Sequence, residues 1–222
     1  MKILLLAAMD KEISLLLNLL ENPQEKTIQS FKVWNGTLYE HEIWISKCGI
    51  GKVNSSLNTI LLLQAICPEL VINSGVAGGA GLAVGSVLIA DQVAYHDVWC
   101  GPGTDYGQAE GFPLFFSPSK KILEIEDSPN VCLGLICSGD KFISTPEEIS
   151  FIRSKFPSVK AVDMESASIA QTCMSYGTDF AIVRVVSDTP GEGENISQYK
   201  DFWENAPQKT FDILSQILKN LK

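Results

Sequence analysis

The chain predicts an α/β fold built on a mostly parallel sheet. Short apolar runs of the length of buried strands alternate with amphipathic helical stretches from end to end. Glycine and proline punctuate the junctions between them. Of the 222 residues, 45% are hydrophobic, enough to bury a sizeable core around such a sheet. No repeat, linker or low-complexity segment interrupts the alternation, so residues 1–222 are expected to form a single domain.

Ile3 to Ala8 is a continuous apolar run, the mark of a strand buried on both faces. Glu12 to Leu20 reads as a helix with Ile13, Leu16, Leu17 and Leu20 on one face. Phe31 to Trp34 and Thr37 to Tyr39 flank Asn35-Gly36, which predicts a hairpin turn there. His41 to Ser46 is a further strand. Gly49-Ile50-Gly51 turns into a helix from Val53 to Ile66, which Pro68 stops. Leu70 to Asn73 is a short buried strand running into a glycine-rich loop, Ser74 to Gly79. Val87 to Tyr95 is a strand, and Trp99 to Pro118, rich in Gly, Pro and aromatics, a long loop.

Cys132 to Cys137 predicts the next strand. Thr145-Pro146-Glu147-Glu148 is a helix start, with proline in the first turn and a capping-box glutamate. Val159 to Val162 is a strand, Glu165 to Tyr176 a helix with Ile169 and Cys173 inward, and Ala181 to Val186 a strand. Pro190 to Glu194 is polar and reads as a flexible loop. The last helix spans Gln208 to Leu221, with Phe211, Leu214, Leu218 and Leu221 on one face.

The net charge of −9, from 17 basic and 26 acidic residues, repels phosphate backbones and anionic lipid. Nucleic acid and membrane are therefore excluded as expected partners. The apolar run Ile3 to Met9 is too short to span a bilayer and lacks a signal-cleavage pattern, which points to the cytoplasm. The six cysteines form no CxxC pair and lie mostly in apolar context, as reduced core thiols do. With only two histidines, a histidine-rich metal site is ruled out, and no cofactor is implied.

Three acidic residues stand where an apolar strand gives way to a turn or helix: Glu12, Glu165 and Asp188. Ligands of open α/β folds bind at the carboxyl ends of strands, so carboxylates converging there would form an acid/base site. Each also has an ordinary explanation as a first-turn charge or a cap; three along one parallel sheet exceed what capping requires. Gly49 to Lys52 and Gly75 to Gly79 let backbone approach a ligand closely, but neither is a Walker or dinucleotide fingerprint. Phe142 is either a stacking platform for a flat ring or a core anchor.

The order of these pieces resembles a known family. Ala7-Ala8-Met9-Asp10-Lys11-Glu12, Cys48-Gly49-Ile50-Gly51-Lys52-Val53, Asn73-Ser74-Gly75-Val76-Ala77-Gly78-Gly79, Ser138-Gly139-Asp140-Lys141-Phe142-Ile143, Val162-Asp163-Met164-Glu165 and Val183-Arg184-Val185-Val186-Ser187-Asp188 are similar to the motifs of 5'-methylthioadenosine/S-adenosylhomocysteine nucleosidases. These enzymes belong to the nucleoside phosphorylase superfamily. The resemblance implies a three-layer α/β/α fold of nucleoside phosphorylase type, with a central, mostly parallel mixed twisted sheet. It also implies hydrolysis of the N-glycosidic bond of methylthioadenosine, S-adenosylhomocysteine and 5'-deoxyadenosine.

By that resemblance Glu12 activates water, and Met164 and Glu165 hold the ribose. Asp188, oriented near Ser187, protonates N7 of adenine. Phe142 stacks on the purine and the backbone of Ile143 reads its edge. Met9, Ile50, Ala77 and Gly78 line the sugar and alkylthio region. Asp163, also placed among the substrate-binding residues, stands where the family usually has Glu. The stretch from Thr189 to Asn195 departs from the family pattern ahead of Tyr199 and Phe202. The resemblance further implies a homodimer, with the Trp99 to Pro113 loop reaching the neighbour's 5' pocket.

The chemistry suits these residue types. Cleavage builds positive charge on the ribose and negative charge on the departing base, so an acid at the base and a water-activating carboxylate on the opposite face follow inverting-glycosidase logic. Asp188 must then be protonated when it acts, and burial is expected to raise its pKa. Three other readings stay open. A phosphorylase would use phosphate in place of water, yet the only arginines are Arg153 and Arg184. An aminodeoxyfutalosine nucleosidase of menaquinone synthesis shares the adenosine half. A non-catalytic nucleoside-binding protein would keep the fold alone.

Overall fold

The computed structural model describes residues 1–123, 131–192, 195–205 and 208–221, without the side chains at 123, 204, 205 and 208–211. Two expectations fall outside those residues: the inward placing of Phe211, and the Gly193-Glu194 end of the polar stretch. Nine strands are described: β1 (Lys2–Ala7), β2 (Glu21–Ile28), β3 (Phe31–Leu38), β4 (His41–Lys47), β5 (Leu70–Gly79), β6 (Val87–Tyr95), β7 (Val131–Ser138), β8 (Val159–Asp163) and β9 (Asp179–Asp188). The helices are α1 (Asp10–Leu17), α2 (Lys52–Ile66), α3 (Lys120–Leu123), α4 (Pro146–Lys155), α5 (Ser166–Tyr176), α6 (Asn195–Asn205) and α7 (Gln208–Asn220).

The sheet runs in the order β2-β3-β4-β1-β5-β8-β7-β6-β9, and β9 pairs again with β5, so its second part closes on itself. Five pairings are parallel and four antiparallel, which makes the sheet mixed. The apolar run of β1 serves both faces. Ile3, Leu5 and Ala7 pack with Ile13 and Leu16 of α1 and Leu214 and Leu218 of α7. Leu4 and Leu6 pack with Leu62 and Leu63 of α2 and with Ile169 and Cys173 of α5. Helices thus cover both sides of the sheet, because side chains alternate along a strand that is apolar throughout. Ile149 and Ile152 of α4 close a third cluster over Leu135 and Val159. Among the described residues no helix is long and apolar enough to cross a membrane.

The expected hairpin turn at Asn35-Gly36 is not there. Both residues lie inside β3, opposite Trp44 and Ile43 of β4. The turns fall at either end of β3, and Gln29 and Tyr39 adopt positive φ (55° and 54°) without being glycine. Gly36 answers a different demand: a β-carbon there would stand 2.9 Å from the Glu21 carbonyl oxygen, where β2 bulges between Glu21 and Gln24. β2 itself gives no apolar signal, since it is an exposed edge strand of sequence ENPQEKTI.

The glycine-rich segment Ser74 to Gly79 is likewise not a loop but the second half of β5. Parallel pairing with β9 runs as far as Gly78, and β8 pairs antiparallel at Gly78 and Gly79. Strand partners on both edges override the poor β-propensity of glycine. Helix α6 was also unannounced, because its sequence, NISQYKDFWEN, is mostly polar. The capping box at Thr145 and Glu148 forms as expected, with Pro146 opening α4. All six cysteines are free; Cys48, Cys137 and Cys173 are buried, while Cys67 and Cys100 are exposed.

Candidate active site

Parallel pairing of β1, β5 and β9 aligns their carboxyl ends on one edge of the sheet. A cleft of about 520 Å³, measured to its open mouth, lies there. Met9 and Glu12 enter it from the start of α1, and Ala77 and Gly78 from the end of β5. Asp163, Met164 and Glu165 enter from the β8–α5 junction, and Ser187 and Asp188 from the end of β9. Ile50 and Phe142 flank the opening. Ile143 borders a contiguous recess of about 250 Å³ that shares Gly78, Phe142 and Asp188 with the main cleft. Every candidate site residue named from the sequence therefore borders the cleft or the recess that shares its wall.

Glu12 sits in the first turn of α1 and is buried, with only 2% of its surface exposed. Its Oε2 accepts from the backbone N–H groups of Ala8 and Met9 at 2.9 and 3.0 Å. This is the capping role that sequence statistics favour. Its Oε1, however, accepts from the Val76 N–H of β5 at 3.1 Å, a bond no cap requires. Gly75 permits the approach: a β-carbon there would lie 2.6 Å from Oε1. Burial raises the Glu12 pKa against the opposing pull of Arg184 and of the three backbone donors. A carboxylate drawn toward neutrality yet fixed on three donors is a better base than an exposed one.

Glu165 stands at the N-cap position of α5 with no side-chain cap bond and is also buried; its Oε1 accepts from the Gly51 N–H at 2.9 Å instead. Burial first, then the charge of Asp163, pushes its pKa up to about 8. Asp163 itself faces the cavity wall with its carboxylate committed. Oδ1 accepts from the Ser138 hydroxyl, and Oδ2 from Arg184 Nε and Nη2 at 3.1 and 2.7 Å and from the Ser166 N–H at 3.1 Å. Arg184 is buried and spends its remaining donors on Asn73 and on the Val183 carbonyl. The guanidinium is thus a structural counter-charge beneath Asp163 and Glu165, with no fork free for a ligand.

Asp188 ends β9. Its Oδ1 accepts from the Ser187 hydroxyl at 2.7 Å and its Oδ2 from Asn195 Nδ2 at 3.3 Å. Burial raises its pKa, opposed by those two donors. Near the mouth, the Phe142 and Tyr199 rings meet edge to face with centroids 5.9 Å apart, and the Tyr199 hydroxyl donates to Met9 Sδ at 3.2 Å. Phe142 is 44% exposed, so it is no core anchor. Sequence reasoning missed the contributions of Ala8, Val76 and Val162, small apolar residues with no pattern of their own. It also missed Asn195, whose only signal was a polar residue at the start of an unforeseen helix.

The model of the phosphorylase superfamily matches residues 2–219 of the chain. A 5'-methylthioadenosine/S-adenosylhomocysteine nucleosidase of Lysinibacillus sphaericus is 36% identical over 231 residues, covering 100% of both chains. The structure of the 5'-methylthioadenosine/S-adenosylhomocysteine nucleosidase of S. pneumoniae, with the transition-state inhibitor MT-ImmA, superposes with a TM-score of 0.94 at 36% identity, covering 100% of each chain. A futalosine hydrolase mutant of Helicobacter pylori superposes with a TM-score of 0.90 at 28% identity, covering 99% of each chain.

Proposed function

The chain belongs to the 5'-methylthioadenosine/S-adenosylhomocysteine nucleosidase family of the phosphorylase superfamily, and from that membership and the chemistry of the cleft we infer how it works. It is an N-glycosidic hydrolase that releases adenine from methylthioadenosine and S-adenosylhomocysteine. The adenine lies in the recess beside Phe142 and Ile143, with N7 toward Asp188. Glu165 and Met164 hold the ribose hydroxyls, and Glu12 faces the water. As the bond from C1' to adenine breaks, its electron pair leaves with the base, whose N7 takes the proton of Asp188. Water adds to C1' from the other face and gives its proton to Glu12. The products are free adenine and a 5'-substituted ribose.

Hydrolysis rather than phosphorolysis is supported by one observation above the rest: Arg184 is fully engaged by Asp163, Asn73 and Val183, and Arg153 lies exposed on α4, away from the cleft. Phosphate would meet the Glu12 carboxylate with no arginine fork to offset it. In phosphate-free buffer the protein is expected to release adenine and free methylthioribose from methylthioadenosine. A strict requirement for added phosphate would sink this reading.

Residues 1–222 act as one nucleosidase domain in a cytoplasmic protein that binds neither nucleic acid nor membrane. It works as a homodimer, with the Trp99–Pro113 loop at the interface. Of the loop's aromatics, Trp99 is 60% exposed and Tyr106 partly exposed, whereas Phe112 packs beside Phe116. The protein is expected to sediment as two chains, and Trp99→Asp to weaken the dimer and raise KM together. A fully active monomer would contradict the assignment.

A further inference from the structure

Asn195 is the first residue of α6, in the stretch where the sequence departs from the family pattern. It is buried, and its side-chain amide nitrogen has two acceptors within reach: Asp188 Oδ2 at 3.3 Å and the Ile143 carbonyl at 3.4 Å. These acceptors belong to two segments distant in sequence, the end of β9 and the loop after β7, and both border the inner recess. An amide NH2 carries two hydrogens in a fixed plane, so one group can serve both acceptors at once. On the other side of Asp188, Ser187 donates to Oδ1. The carboxyl is held from both oxygens, by its own neighbour and by the helix that closes the cleft.

We propose that Asn195 is a positioning residue for adenine departure, holding the Asp188 carboxyl and the Ile143 backbone in one rigid edge against which the base is read and protonated. This rests on the assignment of Asp188 as the acid. The amide donates to the carboxylate and so favours its charged form; losing it leaves Asp188 freer to turn and more reluctant to ionise. The other titratable groups around the cavity are Glu12 from α1, Asp163 and Glu165 from the β8–α5 junction, Lys141 beside Phe142, and Tyr199 on α6. Lys141 pairs with Glu148 and Asp163 with Arg184, so neither replaces the Asn195 donor. α6 thereby contributes to the chemistry at its first residue and to the mouth at Tyr199, and its docking couples the two.

The test compares Asn195→Ala and Asn195→Ser with the parent and with Asp188→Asn, on two substrates. One is methylthioadenosine; the other is a 5-methylthioriboside of p-nitrophenol, whose phenolate departs without a proton. Loss of a hydrogen bond to a charged group predicts a fall in kcat of about tenfold to a hundredfold for Asn195→Ala on methylthioadenosine. Its alkaline limb in kcat/KM should move to higher pH, because Asp188 then holds its proton longer. On the nitrophenyl substrate the defect should shrink to within about threefold, and Asn195→Ser, which keeps a donor, should recover part of the loss. An equal defect on both substrates, an unmoved pH limb, or a lower KM with unchanged kcat would overturn the proposal. If Asp188→Asn itself turns over methylthioadenosine like the parent, it is the assignment of the acid that fails; if Asp188→Asn is crippled while Asn195→Ala is not, only the role of Asn195 fails.

Discussion

At the inner end of the cleft, Glu12, Glu165 and Asp188 are buried and together accept from four backbone N–H groups and two side chains. At the mouth, Ile50 is 50% exposed, and the Tyr199 hydroxyl donates to the Met9 thioether. The inner groups hang on strand ends and helix starts that the sheet register fixes. The outer ones belong to a glycine turn, the β1–α1 junction and α6. Charged groups removed from water are tolerable only on fixed donors, and fixed donors give orientation. Apolar contact is non-directional and adapts to what fills it. On the proposed function, chemistry and adenine selection belong to the inner end, and the 5' substituent is expected to be loosely read.

The largest expected effect breaks the inner end. Asp188→Asn and Glu12→Gln should fold as the parent does, by thermal unfolding and circular dichroism, yet each should lose about 10²–10⁴-fold in adenine release. A variant keeping near-parental turnover would remove that residue from its role.

A panel of nucleosides then sets the two ends against each other. Methylthioinosine carries a carbonyl where adenine carries an amino group and should leave recess acceptors mispaired, at about 1–3 kcal/mol for each. Changes at the 5' end meet an apolar wall that separates alkyl groups by about 1–3 kcal/mol per methylene at most. Methylthioadenosine, S-adenosylhomocysteine and 5'-deoxyadenosine should therefore all be cleaved, with methylthioinosine far behind. Equal cleavage of methylthioinosine would overturn the contrast, and a strong preference for aminodeoxyfutalosine would move the pathway while leaving the site intact.

The smallest effect concerns what the buried carboxylates cost the fold. Glu165 titrates near 8 in the folded protein against an ordinary value of 4.5. The native state therefore binds the extra proton between those limits, and Glu165 contributes stability that is present below about 4.5 and lost as pH rises through 8. Glu165→Gln has no such proton to lose. Its Tm should fall less than the parent's between pH 6 and 9, by a few degrees for a chain of this size. Parallel Tm curves would show that Glu165 is ionised at neutral pH in the empty cleft.

Much of this was legible in the chain itself. A strand apolar at every position, as in Ile3 to Ala7, must be covered on both faces, and that alone demands a helical layer on each side. Thr145, Pro146 and Glu148 mark a helix start by local bonds that need no partner elsewhere. The acidic residues at the strand ends were visible as well, since residue type and position already suggest a site. The tertiary structure alone decided what those local signals could not distinguish. Asn35-Gly36 has the chemistry of a turn, but it lies within a strand because β2 bulges against Gly36. Ser74 to Gly79 has the composition of a loop, but β8 and β9 pair with it from either side. Glu12 looks like a helix cap and is one; only the approach of Val76 across Gly75 makes it part of a cleft. Asn195 carries no signal until α6 brings it to Asp188. Hydrophobic periodicity and capping act within a few residues and can be read along a sequence, whereas strand pairing and donor geometry join segments far apart in the chain and exist only once it has folded.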